Sequence, residues 1–442
     1  MRTSRADAAA PVPTDVRISL TSALPQVPKA RAVAAARATS VAFIGSGFAG
    51  ASFASRIPQV RDRLELSPAQ LGLVLLAIAT GSLIALPLAG TLVEHLGSRR
   101  TVAVMALIGG AGLAVVAVGY LVGVVPVLVG LFLFGFSNGA WDVAMNVQGA
   151  GVERQLGRSI MPRFHAGFSV GTVAGALVGA AMVALHVPVT PHLLAVGLTS
   201  AVVVPFAVRG FLPDADSAAA AEPVDAPAGG RASSALARWR EPRTLVIGLI
   251  VLSFALAEGA GNDWIPVALI DGYGASAELG TLGFALFLAA MTGCRWFGPG
   301  LLDRHGRVAV LRVLTGAGVA GLAMFALGGS AAFAVAGIVF WGIGAALGFP
   351  VGMSAASDEP AAAAGRVSVV SSIGYCAFLA GPPVIGFVGE HVTVARALLL
   401  VAGLLALTFL LLGAVRPPVP RPGAASDPEP AGAAAEPEPR RT

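Results

Sequence analysis

The sequence predicts an all-α membrane protein: twelve transmembrane helices in two pseudo-symmetric six-helix bundles. Three observations predict it. First, 56% of the 442 residues are hydrophobic and only 12% are charged, about half the charged share of a soluble domain, and mean hydropathy is +0.80. Second, the apolar residues fall in twelve long runs. Third, the two halves of the chain echo each other at an offset of about 208 residues. Such a composition excludes a soluble globule, and for most of the chain it excludes disorder. A spanning helix uses about 20 apolar residues, so twelve use ~240 and leave ~200 for loops and tails.

Residues 1–38 are rich in Ala, Pro and Arg with no apolar run, and read as a disordered cytoplasmic tail. Ala49 and Ala51 do not mark a signal-peptide cleavage site, because cleavage there would destroy a segment that the rest of the chain repeats. Apolar runs follow at 39–58, 69–92, 99–120, 125–149, 165–185, 193–212, 244–266, 278–301, 308–329, 332–354, 369–389 and 394–415. Most exceed the 9–11 residues of a membrane β-strand. In hydrocarbon the backbone must satisfy its own hydrogen bonds, so each run is a helix. They group as an N-terminal bundle at 39–212 and a C-terminal bundle at 244–415. Between them, 213–243 carries Ala, Pro, Gly and charge (Asp214, Asp216, Glu222, Asp225, Arg231) and reads as a flexible cytoplasmic linker. Residues 416–442, with repeated Pro and Glu, read as a second disordered cytoplasmic tail.

Orientation follows from the basic residues. With the N-terminus in the cytoplasm, 24 of the 29 Lys and Arg fall on inner loops and tails. Arg56, Arg61, Arg63 and Arg396 fall outside, and Arg295 lies within a span. The expected location is the bacterial cytoplasmic membrane, multi-pass, with both termini inside. The isoelectric point near 10.0 does not indicate a nucleic-acid partner, since the basic residues are scattered rather than clustered on one face. Cys294 and Cys376 lie far apart in apolar runs and offer neither a disulfide framework nor a metal site.

The repeat is read residue against residue. Ile57-Pro58 matches Ile265-Pro266, Leu71-Gly72 matches Leu279-Gly280, Gly97 matches Gly306, and Gly135 matches Gly342. Gly157-Arg158 matches Gly365-Arg366, while Gly167 and Gly179 match Gly374 and Gly386. A parallel repeat of six spans places a substrate site between two rocking halves.

The loop between spans two and three reads Gly90-Thr91-Leu92-Val93-Glu94-His95-Leu96-Gly97-Ser98-Arg99-Arg100, and its copy reads Leu301-Leu302-Asp303-Arg304-His305-Gly306-Arg307. Here the chain resembles transporters of the major facilitator superfamily, whose loop runs Gly-x-Leu-x-Asp-basic-x-Gly-basic-basic. Glu94 replaces Asp, His95 and Ser98 replace basic residues, and Pro299 stands where the second copy's first Gly would. Gly97 and Gly306 suit a short corner that needs a residue free of Cβ. The resemblance implies gating loops at Gly90, Glu94, Gly97, Arg99, Arg100, Asp303, Arg304, Gly306 and Arg307, with Glu94 and Asp303 latching one conformation through helix-end contacts and ion pairs. Within the superfamily the chain is similar to the fucose–proton symporter-like, YbjJ-type branch, through Asp142 followed four residues later by Asn146. Val147 replaces that branch's Pro, so fucose itself is not implied.

Polar side chains at membrane depth mark ion and substrate paths. Asn138, Asp142 and Asn146 are spaced by four and share one face of span four, a span that lines the cavity in the resembled fold. Glu258 sits near the middle of span seven with Asn262 one turn on. Asp142 and Glu258 are the candidate proton carriers, with a structural hydrogen-bonded role as the alternative for Asp142. Arg295 is placed to hold an anion or to pair with a carboxylate. Trp141 and Tyr375 are candidates for stacking on a sugar-like ring, against simple packing. Asp263 and Trp264 are placed near the outer surface, with Trp264 as an interfacial anchor. Arg56 is expected to snorkel to water, and His165 is read as structural rather than as a relay.

Gly45-Ser46-Gly47-Phe48-Ala49-Gly50 fits the dinucleotide fingerprint but follows no strand, so it is rejected. Gly167, Gly171, Gly175 and Gly179 make a smooth face in span five, expected against the other half. In that span Ala176 and Ala180 stand where the superfamily's exporters place Pro and Gly, although Gly381-Pro382-Pro383 shows a related break in span eleven. No zinc helix or nucleophile elbow is present. The expectation is therefore a transporter and not an enzyme, with no cofactor and no metal. It moves a small solute by alternating access, as proton-coupled uptake of a sugar-like or other small polar compound. The alternative is a proton-antiport exporter of a drug or metabolite; a sensor is disfavoured because the tails are too short for output domains. The expected partners are a small-molecule substrate, protons and the lipid bilayer, with no nucleic acid, and the chain is expected to be a monomer.

Overall fold

The Ala-rich stretch after Pro28 is strongly helix-forming, and the first helix begins inside it. The computed structural model describes residues 27–158, 160–213, 237–359 and 362–417. Helix α1 (Lys29–Ala54) starts ten residues before the first apolar run and buries Ala32, Ala35 and Ala38. This corrects the expectation that residues 29–38 belong to an unstructured tail. The remainder of that tail (1–26), most of the linker (214–236) and most of the last tail (418–442) lie outside the described residues.

A short helix α2 (Ile57–Arg63) carries a Pro in its first turn, where no amide partner is lost. Helix α3 (Pro68–Gly119) opens on a capping box between Ser67 and Gln70. Helix α4 (Val124–Leu156) ends on Gly157 in the left-handed region, φ 61°. Helices α5 (Met161–Ala184) and α6 (Val189–Ala207) complete the first half. The second half holds α7 (Pro242–Tyr273), α8 (Ala277–Leu327), α9 (Ala331–Ala345), α10 (Gly348–Ala356), α11 (Ala363–Val392), α12 (Val394–Ala397) and α13 (Leu399–Leu411). Among the described residues there is no β-strand.

Among the described residues, ten helices are long and apolar enough to cross a membrane. Two of them are double length: α3 has 52 residues and α8 has 51. At ~1.5 Å per residue each would measure ~75 Å, more than twice the hydrocarbon thickness. Each is broken once, at Gly97 (φ 79°, ψ 156°) and at Gly306 (φ 76°, ψ 161°). Divided there, the ten segments are consistent with the twelve crossings expected. The near-identical dihedral pairs also carry the sequence repeat into the backbone. So do the helix crossings: a Cβ on Gly112 would lie 2.7 Å from the Gly130 carbonyl, and one on Gly321 would lie 2.6 Å from the Gly337 carbonyl.

In the first half α3 packs on α4 and α6, and α1 packs on α5; in the second, α8 packs on α9 and α7 on α11. The halves meet where α3 touches α11 and α5 touches α8. The glycine face of α5 does not make that contact. Gly171 meets the Ile44 carbonyl, Gly175 the Phe48 carbonyl and Gly179 the Ser55 side chain, all on α1 or just after it. The smooth face therefore serves close packing inside one half. Trp264 is also relocated. It is fully buried, because α7 runs on to Tyr273 and Gly386 of α11 leaves room for the indole.

Successive crossings reverse direction, so the α1–α3, α7–α8 and α11–α12 turns gather on the face opposite the chain ends. There the halves are joined. Arg61 pairs with Asp271 as well as with its neighbour Asp62. The Ala69 amide donates to Glu390 Oε2 at 3.1 Å. Gly72 lies against the Pro382 carbonyl, and Gly386 against that of Pro68. Arg56 is buried rather than snorkelling: its Nε donates to His192 Nδ1 at 2.9 Å and its Nη2 to the Val187 carbonyl at 3.0 Å. The loop before α6 brings that carbonyl to the guanidinium.

Candidate functional site: a polar cavity between the halves

Between the two halves lies a cavity of about 390 Å³, walled by α1, α3, α4 and α5 on one side and α7, α8 and α11 on the other. Its polar lining includes Ser46, Asn138, Thr172, Glu258, Asn262, Asp263, Arg295 and Tyr375. Phe168, Phe284 and Phe378 contribute aromatic walls.

The first-half polar pair is local. Ser46 Oγ donates to Asn138 Oδ1 at 2.8 Å, tying α1 to α4. The second half supplies charge. Arg295 Nη2 donates to Glu258 Oε2 at 2.6 Å, and Arg295 Nε donates to the Ala346 carbonyl at 3.0 Å. Ala346 sits at the break between α9 and α10. A helix C-terminus leaves carbonyls without partners and carries partial negative charge. The guanidinium thus answers two needs at once, a carboxylate and a broken helix end.

Of the eight residues singled out for substrate or proton binding, Asn138, Glu258, Asn262, Arg295 and Tyr375 line the cavity. Asp142, Asn146 and Trp141 are not part of that lining. Asn146 Nδ2 donates back to Asp142, to its carbonyl at 2.8 Å and to Oδ1 at 3.2 Å. Trp141 is buried, with its ring beside Gly45. Four polar lining groups, Ser46, Ser82, Thr172 and Asp263, were not predicted from the sequence. Ser46 was hidden inside the rejected fingerprint. Thr172 follows Gly171 and carries no charge to draw notice. Asp263, placed near the outer surface, lines the cavity; its signal was present, as an acid five residues past Glu258 on the same helix.

The predicted gating residues cluster around the two corner glycines. Gly90, Glu94, Arg99, Arg100, Asp303 and Arg304 are exposed there. Glu94 and Asp303 form no ion pair among the described residues. On this face the second half carries several ion pairs. Asp358 accepts from Arg307 at 2.7 Å and from Arg243 at 2.8 Å. Arg366 reaches Glu241 at 2.7 Å and Glu359 at 3.1 Å, and Arg238 also pairs with Glu241. Glu241 stands just before α7. Burial works against its ionisation, but hydrogen bonds from Arg238, Arg366 and Thr244 outweigh that and hold the carboxyl down at about 2. Among the described residues no cluster of His, Cys, Asp and Glu could hold a metal ion.

Known proteins resemble this arrangement. The profile described as Major Facilitator Superfamily matches residues 39–377. The "Uncharacterized transporter y4wD" of Sinorhizobium fredii is 32% identical over 382 residues, covering 86% of this chain and 97% of that protein. Among solved structures, a point variant of the nucleoside transporter NupG superposes with TM-score 0.72 at 15% identity, covering 86% of this chain and 99% of that one. A point variant of the E. coli fucose:proton symporter FucP gives TM-score 0.59 at 16% identity, with 87% and 98% covered. At these identities the structural likeness speaks for the fold alone.

Proposed function

This chain belongs to the Major Facilitator Superfamily, and from that premise we propose that it performs proton-coupled uptake of a sugar-like or other small polar solute. It is a multi-pass membrane transporter and not an enzyme. The proposed setting is the bacterial cytoplasmic membrane, with both chain ends in the cytoplasm, as a monomer, in the fucose–proton symporter-like branch. The halves 39–212 and 244–415 rock about the cavity as units, joined by 213–243.

One observation carries the reading: both halves place polar side chains in a single cavity, which contains the Glu258–Arg295 pair. A proton taken by Glu258 cancels its charge and loosens its hold on Arg295. The guanidinium is then free to reorganise with the solute, which links proton binding to occupancy. Asp142, one turn from Asn138 on α4, is the second proton carrier. The halves are joined on the face opposite the chain ends by Arg61–Asp271 and by Gly72 against Pro382, which supports solute exchange at the face bearing the chain ends in this conformation.

The test is flux into proteoliposomes under an imposed pH gradient, across a panel of labelled monosaccharides, nucleosides and amines. Gradient-driven accumulation is expected in the wild type and lost in Glu258→Gln and Asp142→Asn, while downhill exchange persists. Accumulation with unaltered pH dependence in both variants rules these residues out of coupling. The Gly381-Pro382-Pro383 break in α11 favours a second reading, proton-antiport export of a drug or metabolite. Accumulation driven by the opposite gradient would select it.

A further inference from the structure

We propose that the solute is a small organic cation, a polar molecule bearing one protonated amine, and that Asp263 selects its charge. The inference rests on the transporter reading and adds the substrate class. Its ground is the charge balance of the cavity. Glu258 and Arg295 neutralise each other. Arg295 also donates to the Ala346 carbonyl, so an anionic solute must compete with Glu258 for a guanidinium already engaged on two sides. Asp263 is different. It lines the same cavity, and among the described residues its carboxylate has neither an ion pair nor a hydrogen-bond partner. Other partly or wholly shielded acids are engaged: Asp142 with Asn146, Asp271 with Arg61, Asp358 with Arg243 and Arg307. The cavity therefore holds one acid with no protein counter-ion at membrane depth, where an unpaired carboxylate is costly and calls for either a cationic solute or a proton to neutralise it.

The rest of the lining suits the remainder of such a solute. Asn138, Asn262 and Tyr375 are neutral donors and acceptors for hydroxyl groups. Phe284 and Phe378 offer ring faces that attract a cation. At about 390 Å³ the cavity is at the small end of the ~300–1,000 Å³ range of ligand sites, which fits one ring or a short chain. The rival occupant of Asp263 is a bare proton. A protonated Asp263 would leave a neutral cavity with no preference for an amine, so the two are separable.

The experiment uses the purified full chain at about pH 6.5, where an alkyl amine is protonated. Binding is measured calorimetrically and by thermal shift for D-glucosamine, D-glucose and D-glucuronate, which share a ring and differ in charge. Tyramine and its alcohol analogue 4-hydroxyphenylethanol form a second matched set. At least one amine is expected to bind more tightly than its neutral and anionic counterparts. Asp263→Asn should weaken that amine by about 30-fold or more, the cost of removing one partner of a buried charge pair. Asp263→Glu should keep the preference for charge, which a purely structural role would not restore selectively. Tighter binding of the neutral or acidic compound, an amine preference unchanged in Asp263→Asn, or no binding of either amine would each overturn the proposal. Failure of the transporter reading shows separately, as a bound compound that is never accumulated in proteoliposomes under any gradient.

Discussion

Gly97 and Gly306 each hold φ near +78° with ψ near +158°, a region that residues with a Cβ scarcely enter. The strain of placing one there is about 1–3 kcal/mol. Gly90 stands seven residues before Gly97 in open space with ordinary helical geometry. Gly97→Ala and Gly306→Ala should each lower stability by about 1–3 kcal/mol, whereas Gly90→Ala should be neutral or slightly stabilising because alanine favours the helix. Thermal unfolding of the detergent-purified variants checks this. Equal losses at all three positions would mean that the backbone conformation is not the cause. The same scale shows how far residue types alone reach. The two corner glycines were legible because a short charged stretch separates two apolar runs at each place, and a corner that tight needs a residue free of Cβ. Trp264 was misplaced for a related reason. Its depth was counted from the end of an apolar run, but α7 continues through Asp271 to Tyr273, moving the indole inward by about two turns.

At the level of elements, spacing tells which residues share a helix face but not what that face meets. Asn138 and Asp142 are one turn apart on α4, yet only Asn138 borders the cavity; Asp142 is held by Asn146. The glycines of α5 announced a close approach, and α1 rather than the other half makes it. Glu258 and Arg295 were each visible as charged residues in apolar runs. Their pairing across 37 positions depends on how α7 leans on α8, which no local pattern encodes. The start of α7 offers a prediction of this kind. Glu241 gathers Arg238, Thr244 and Arg366, and so fastens the end of the inter-half segment to α7 and α11. Its carboxyl sits at about 2 against an ordinary 4.5. A folded value below the unfolded one means that the stabilisation is complete above about pH 4.5 and is lost as pH falls through about 2. Glu241→Gln should therefore unfold about 1–3 °C lower at pH 7, and the gap should narrow steadily below pH ~4.5. A gap that stays constant down to pH ~3 would show that the carboxylate charge is not what fastens the helices.

For the whole molecule, the question is what keeps one mouth of the cavity shut. The polar contacts between the halves described above share a direction: the acids Asp271 and Glu390 come from the second half, and the partners, Arg61 and the α3 amide of Ala69, come from the first. Between them Gly72 lets α3 lie directly on the backbone of Pro382 and Pro383. This junction combines a backbone-to-backbone fit with two polar ties, and under the proposed alternating access all three must part together for the cavity to open on this face. The ion pair is the part that can be removed without disturbing the fit. Arg61 is largely shielded while Asp271 is 42% exposed, so the pair is worth about 1 kcal/mol rather than more, roughly a five-fold shift in the closed-to-open ratio. An Ala79→Cys reporter on the cavity wall, with Cys294 and Cys376 replaced by alanine, should react about five-fold faster with a membrane-impermeant thiol reagent applied from the sealed side when Arg61→Ala or Asp271→Ala is added. The double variant should react no faster than either single one, because both remove the same tie. Labelling that does not change in either single variant would assign the seal to the glycine–proline fit alone. In that case Gly72→Val, which drives a side chain into the Pro382 backbone, should be the substitution that opens it.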